Sequence, residues 1–308
     1  MRQIVLAWLV VTLGLLTVMQ ADGWKTPRTP WGEPDLQGIW NYATMTSLER
    51  PRELAAKETL TAEEADAFEQ QTRQRRDNTN NTAGPDWWDG GTNVLIDRRT
   101  SLIVDPANGR VPPLMPEAQR KAAARAQARR ERGPADSAQD LALNERCILW
   151  STAGPPMLPG PYNNNVQIVQ TRGFVVLVNE MIHDARIVPM DGRPHGAVRQ
   201  WMGDSRGHWE GETLVVDTIN FTDKSAFRGS GERLHLVERF TRSGAKTIQY
   251  RFTADDPDTW TSPWTAAFPL TATAGPIYEY ACHEGNERSM QGILLGARTQ
   301  DKTPGNRR

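Results

Sequence analysis

The sequence predicts a mainly β fold, an antiparallel meander that closes into a barrel or a strongly curved sheet, with a few peripheral helices. Three observations carry this. Short apolar runs recur from residue 165 onward, at 166–170, 174–182, 185–189, 213–218, 234–242, 246–253 and about 260–268, with turn residues between them. Two of the runs alternate with period two. Leu234, Leu236, Glu238 and Phe240 share one face against His235, Val237, Arg239 and Thr241, and Ile248, Tyr250 and Phe252 repeat the pattern on the next run. The 308 residues also include 21 Pro and 25 Gly at only 38% apolar content, so much of the chain must be loop.

Taken in order, the chain begins with Arg2, an apolar run over 4–18 and then Gln20 and Ala21, the layout of a secretory signal peptide ending at residue 21. An uncleaved anchor is the rival reading, because the run is only just short of a membrane span. Residues 22–308 read as one β-rich domain, whose first part (22–150) forms a loop- and helix-rich layer. Residues 22–34, with Trp24, Trp31 and three prolines, should lie extended over the surface. Gly38 and Trp40 then open the sheet. This Gly-x-Trp resembles the first strand of lipocalin-like barrels, and Trp40 as a core plug explains it equally.

Thr61 and Glu64 form a capping box, which predicts a helix to about residue 75. The polar loop 77–93 carries Trp87 and Trp88, as a lid or as packing. A strand is expected over 100–104, a turn over 105–109, and a second helix from Pro116 to about 132, Ala- and Arg-rich and solvated around its axis. Residues 204–212 read as a tight, charged loop. The segment 278–298 reads as partly helical, with Ile293, Leu294 and Leu295 on its buried side.

The net charge of −1 implies no general attraction to nucleic acid or acidic lipid. Once the leader is removed, no segment remains for stable membrane insertion. In an oxidising compartment Cys147 and Cys282 are expected to pair; two separate buried thiols and a Cys282 nucleophile are the alternatives. The expected localisation is periplasmic or secreted. Oligomeric state is not legible.

Polar chemistry concentrates at 181–221 and at 282–286. His183 and His283 are the acid/base candidates. Arg186 is a clamp for an anionic group, or the ion-pair partner of Asp184. Glu238 stands among core residues, so it is either paired with an arginine or poised to orient or charge a histidine. Asp184, Arg193, His195, Trp209 and Asn286 are candidates for substrate contact. No local metal-ligand spacing, Walker loop or GxGxxG is present, so no cofactor is expected, although His183, His195 and His283 could meet around a transition metal. Ser205 lacks the strand–turn–helix setting of a nucleophile elbow.

Residues 203–218 (GDSRGHWEGETLVVDT), with 34–40, 191–195 and 282–286, resemble an uncharacterised family of secreted proteins frequent in environmental bacteria. The resemblance covers most of the chain after Pro34. It implies secretion and a shared site, and supplies no reaction. The functional expectation is an enzyme working by proton transfer (lyase, isomerase or hydrolase) on a small aromatic, terpenoid or sugar-like compound. A non-catalytic small-ligand binder and a structural envelope protein are the alternatives.

Overall fold

A computed structural model describes residues 24–78, 90–131, 137–224 and 227–301. The leader expected over residues 1–21 and the Trp87–Trp88 pair lie outside these residues. The described residues form ten strands: β1 (Gly38–Asn41), β2 (Ile103–Asp105), β3 (Asn165–Gln170), β4 (Phe174–Asn179), β5 (Ala185–Pro189), β6 (Asp204–Glu210), β7 (Thr213–Ile219), β8 (His235–Gly244), β9 (Thr247–Asp255) and β10 (Trp264–Ala272). Three α-helices accompany them, α1 (Ala62–Asn78), α2 (Pro116–Glu131) and α3 (Asn286–Asp301). The sheet is antiparallel, in the order β5-β4-β3-β1-β10-β9-β8-β7-β6, with β2 added beside β10. Two meanders, β3–β5 and β6–β10, are therefore joined through β1.

The end strands β5 and β6 come together and nearly close the barrel. Gly207 of β6 makes this approach possible. A Cβ there would stand 2.4 Å from Met190 Sδ and 2.9 Å from Val188 Cγ1. The lumen is packed, not hollow. Trp40, Tyr250, Phe240, Phe252, Trp264 and Phe268 are all buried within it. Trp40 is the core plug expected. Its indole donates to Leu36 O (2.9 Å), and the Arg242 guanidinium lies 5.4 Å from its ring centroid.

Several elements depart from the sequence reading. Residues 204–210 are a strand, not a loop: Ser205, Gly207 and Trp209 face inward while Asp204, Arg206, His208 and Glu210 face out. The glycines disguised a period of two, and a two-residue turn with Gly211 at φ +60° joins β6 to β7. The run 174–182 stops at Asn179, because a 3-10 turn over Met181–His183 places Ile182 and His183 at positive φ. Strand β10 starts at Trp264, four residues later than expected, after Pro263.

Pro269 is tolerated inside β10 for a topological reason. Ala267, two residues earlier and so on the same side, donates to Leu102 O rather than to β9. At Pro269 that side falls in the gap between β2, paired at Thr265 and Ala266, and β1, paired at Thr271 and Ala272. The strand expected over 100–104 is reduced to the three residues of β2.

The helices α1 and α2 form where expected. The Thr61–Glu64 capping box is present, with Glu64 N donating to Thr61 Oγ1 (3.2 Å) and Thr61 N to Glu64 Oε2 (2.8 Å). No residue of α2 is buried. In α3, however, Ile293 and Leu295 are 48% and 59% exposed, not buried. The helix is held at its start, through Asn286, and Leu294 is half-buried while Ile293 and Leu295 find no cover among the described residues.

Candidate functional site

A cleft of about 780 Å³, lined mainly by apolar side chains, lies at the barrel end where β1 and β7 finish and β3 and β6 begin. Residues 44–48 after β1, 149–161 before β3, Trp201 before β6, and Phe221, Phe227 and Arg228 after β7 build its walls. Trp150, Leu158, Trp201, Phe221 and Phe227 supply apolar surface. Its size is within the range usual for drug-sized ligands, roughly 300–1,000 Å³.

The walls are fixed from beneath. Loop 149–161 is closed by Asn164, which donates to Gly160 O (3.0 Å) and accepts from Gly160 N (2.6 Å). Its Met157 is fully buried, and Met157 N donates to the Tyr250 hydroxyl at 3.1 Å. On the opposite wall Thr46 Oγ1 accepts from Leu95 N (3.0 Å). Gly91 passes so close to Thr44 that a Cβ would meet its backbone N at 2.7 Å.

Beneath this loop lies a buried polar triad. Arg186 of β5 reaches across the lumen and binds Glu238 of β8 with both arms, Nη1 to Oε2 and Nη2 to Oε1, the latter at 2.9 Å. Tyr250 donates to Glu238 Oε1 at 2.7 Å. Burial works against the Arg186 charge, and the facing carboxylate more than offsets it, so the guanidinium pKa lies above its ordinary value. Burial, then the Glu238 charge, push the Tyr250 phenol well above its usual range, which keeps it a donor. The partner of Arg186 is therefore Glu238, not Asp184. The geometry is that of a satisfied ion pair holding two sides of the barrel together.

The other residues singled out in the sequence are dispersed. His183 is exposed, with Nδ1 3.1 Å from Tyr280 O. Its neighbour Asp184 is half-buried with no partner for Oδ2 among the described residues, and burial pushes its carboxyl up to about 6 while the charge of His183 pulls it down. His283 is exposed and, with Asn286, lines a separate shallow depression of about 410 Å³ beside α3. Asn286 donates to Glu145 O (2.7 Å) and to Cys147 Sγ (3.3 Å). Arg193 forms an exposed ion pair with Asp191. Trp209 packs on the core, its indole N–H buried without a partner among the described residues. None of these residues lines the cleft.

His195 belongs to an outer-face network that sequence reasoning missed. Its Nδ1 lies 3.3 Å from Asp204 Oδ2 and its Nε2 2.9 Å from Asp217 Oδ1, while His235 Nε2 approaches Asp217 Oδ2 at 2.6 Å. Burial opposes the Asp217 charge, and the hydrogen bonds and charges of His235 and His195 together more than offset it, holding the carboxyl below its usual range. The same bond raises His235. The period-two count places Asp217 and His235 on the outer face, and that count was the available signal. Among the described residues no group of three or more His, Cys, Asp or Glu is placed to hold a metal, so His183, His195 and His283 do not converge.

Cys147 and Cys282 form a disulfide with Cα atoms 5.8 Å apart. Beside it Trp150 packs edge-on against Tyr162 and Tyr280, with centroids 5.9 and 6.2 Å away. Among the described residues no helix is long and apolar enough to cross a membrane. No family model matches the chain, and neither a curated protein nor a solved structure matches it.

Proposed function

We propose that the protein is an exported small-ligand-binding protein, periplasmic or secreted, that receives a largely apolar molecule in the cleft above the barrel end. The lining carries this reading. Five aromatic or aliphatic side chains converge on a cavity of ligand size whose walls are hydrogen-bonded from below. The leader layout, the disulfide and the resemblance to secreted proteins support export.

Acid/base catalysis has less support. Arg186 and Glu238 neutralise each other under the floor, and His183 and His283 stand outside the cleft.

Titration with pyrenemethanol, a neutral fused-ring probe, followed by tryptophan fluorescence, tests the proposal. Trp201→Ala should weaken binding about tenfold, equivalent to roughly 1.4 kcal/mol. His183→Ala and His283→Ala should bind as the parent does. Binding that ignores Trp201, or that disappears with either histidine, would place the ligand elsewhere.

A further inference from the structure

We infer that the ligand of the cleft is an amphiphilic monoanion, a fused-ring or terpenoid carboxylate whose acid group is read by Arg228. This deepens the binding reading above and rests on it.

Arg228 is the one charged side chain among the described lining residues. Its carboxylate neighbour is Glu49, with Oε1 3.5 Å from Nη1. That carboxylate is shared. Glu49 Oε2 also accepts from Val111 N (3.3 Å) and faces Arg110 Nη2 at 4.0 Å. Two guanidinium groups thus stand against one acid, and the rim is left positive beside apolar walls. A cation placed there favours a ligand bearing one negative charge, and a guanidinium fork favours a planar, two-oxygen acid.

The placement of Arg228 is built into the fold. It lies in a 3-10 turn, Phe227–Gly229, at φ +51° with Gly229 at φ +88°. Phe227 stacks on buried Trp264 with ring centroids 5.9 Å apart and meets Phe252 edge-on at 6.5 Å. The turn is therefore pinned to the core, and the guanidinium is presented next to Phe227 and Phe221, which also line the cleft. An apolar body held by these rings brings a terminal carboxylate to Arg228.

The test is a pair of fluorescence titrations with pyrenebutyrate and pyrenebutyramide, which share shape and differ in charge. The acid should bind about tenfold more tightly than the amide, the scale of one charge-assisted hydrogen-bonded contact. Arg228→Gln should abolish that preference while amide binding stays within about twofold, which also reports an intact cleft. Glu49→Gln, which removes the competing carboxylate, should enlarge the preference. Equal binding of acid and amide to the parent protein overturns the inference and leaves the binding reading standing. A preference that survives Arg228→Gln overturns the assignment to Arg228. Should Arg228→Gln lose amide binding as well, Glu49→Gln decides, and an unchanged preference there overturns the inference. If neither probe binds, the binding reading itself falls.

Discussion

Glu238 and Asp184 are both carboxylates withdrawn from water, and their surroundings set opposite consequences. Glu238 is fully buried and receives hydrogen bonds from Arg186 and Tyr250. Glu238→Gln should cost about 3–5 kcal/mol in urea unfolding, because it leaves the Arg186 charge without compensation. The double variant Arg186→Met, Glu238→Leu should recover most of that loss. A double variant as unstable as the single one would mean that the pair itself, not the orphaned charge, sets the cost. Asp184 lacks a partner for one oxygen, and its folded-state pKa of about 6 stands above its ordinary 3.8. The folded form therefore holds the proton more tightly. The associated stability is present below the unfolded value and is lost as pH rises through about 6. Asp184→Asn should raise stability at neutral pH by about 1–2 kcal/mol, allowing for solvent screening, and flatten the pH dependence over that window. The sequence made Glu238 legible as a buried carboxylate, because strand period alone places it between Leu236 and Phe240. It could not reveal that Arg186, fifty-two positions away, is the partner, since that depends on two end strands folding over one lumen.

At the scale of elements, β6 shows how a strand hides. Three of its seven residues are charged, one is histidine and one is glycine, so local composition reads as loop. Only pairing with β7 makes the outward charges and inward small residues intelligible. Gly207 is central to this, since β5 packs where its side chain would be. Gly207→Val should destabilise by about 2–3 kcal/mol through overpacking against Val188, with Gly207→Ala milder because Met190 can yield. Crystallography or hydrogen exchange of the valine variant should show the change concentrated at β5 and β6; uniform loosening of the sheet would contradict the closure argument. The helices were legible where local chemistry decides them, as at the Thr61–Glu64 capping box. The buried side assigned to α3 was not realised, because burial requires a neighbour and helix periodicity cannot supply one. The cleft was invisible to the sequence for the same reason. Its walls come largely from irregular segments without a shared motif, and its charged residue, Arg228, sits in a three-residue turn.

Across the whole molecule, the disulfide ties residue 147 to residue 282, a separation of 135 residues. In the chain-entropy account a loop of that length restricts the unfolded state by on the order of 4–5 kcal/mol. Reduction, or paired Cys147→Ser and Cys282→Ser substitution, should lower unfolding stability by about 2–4 kcal/mol, since measured gains commonly fall short of the entropic figure. Protease sensitivity should rise first near Trp150, Tyr162 and Tyr280, which pack beside the bridge. Unchanged stability on reduction would show that the barrel alone secures both ends. The filled lumen has a different consequence. The barrel is filled by its own side chains, while the cleft is assembled largely from connecting segments at one rim, anchored through Met157, Phe221 and Phe227. Outward positions such as Trp201 and Arg228 can be varied while the anchors Met157 and Phe227, which reach into the core, are kept. The barrel can therefore serve as a chassis on which related proteins, or a designer, mount different specificities.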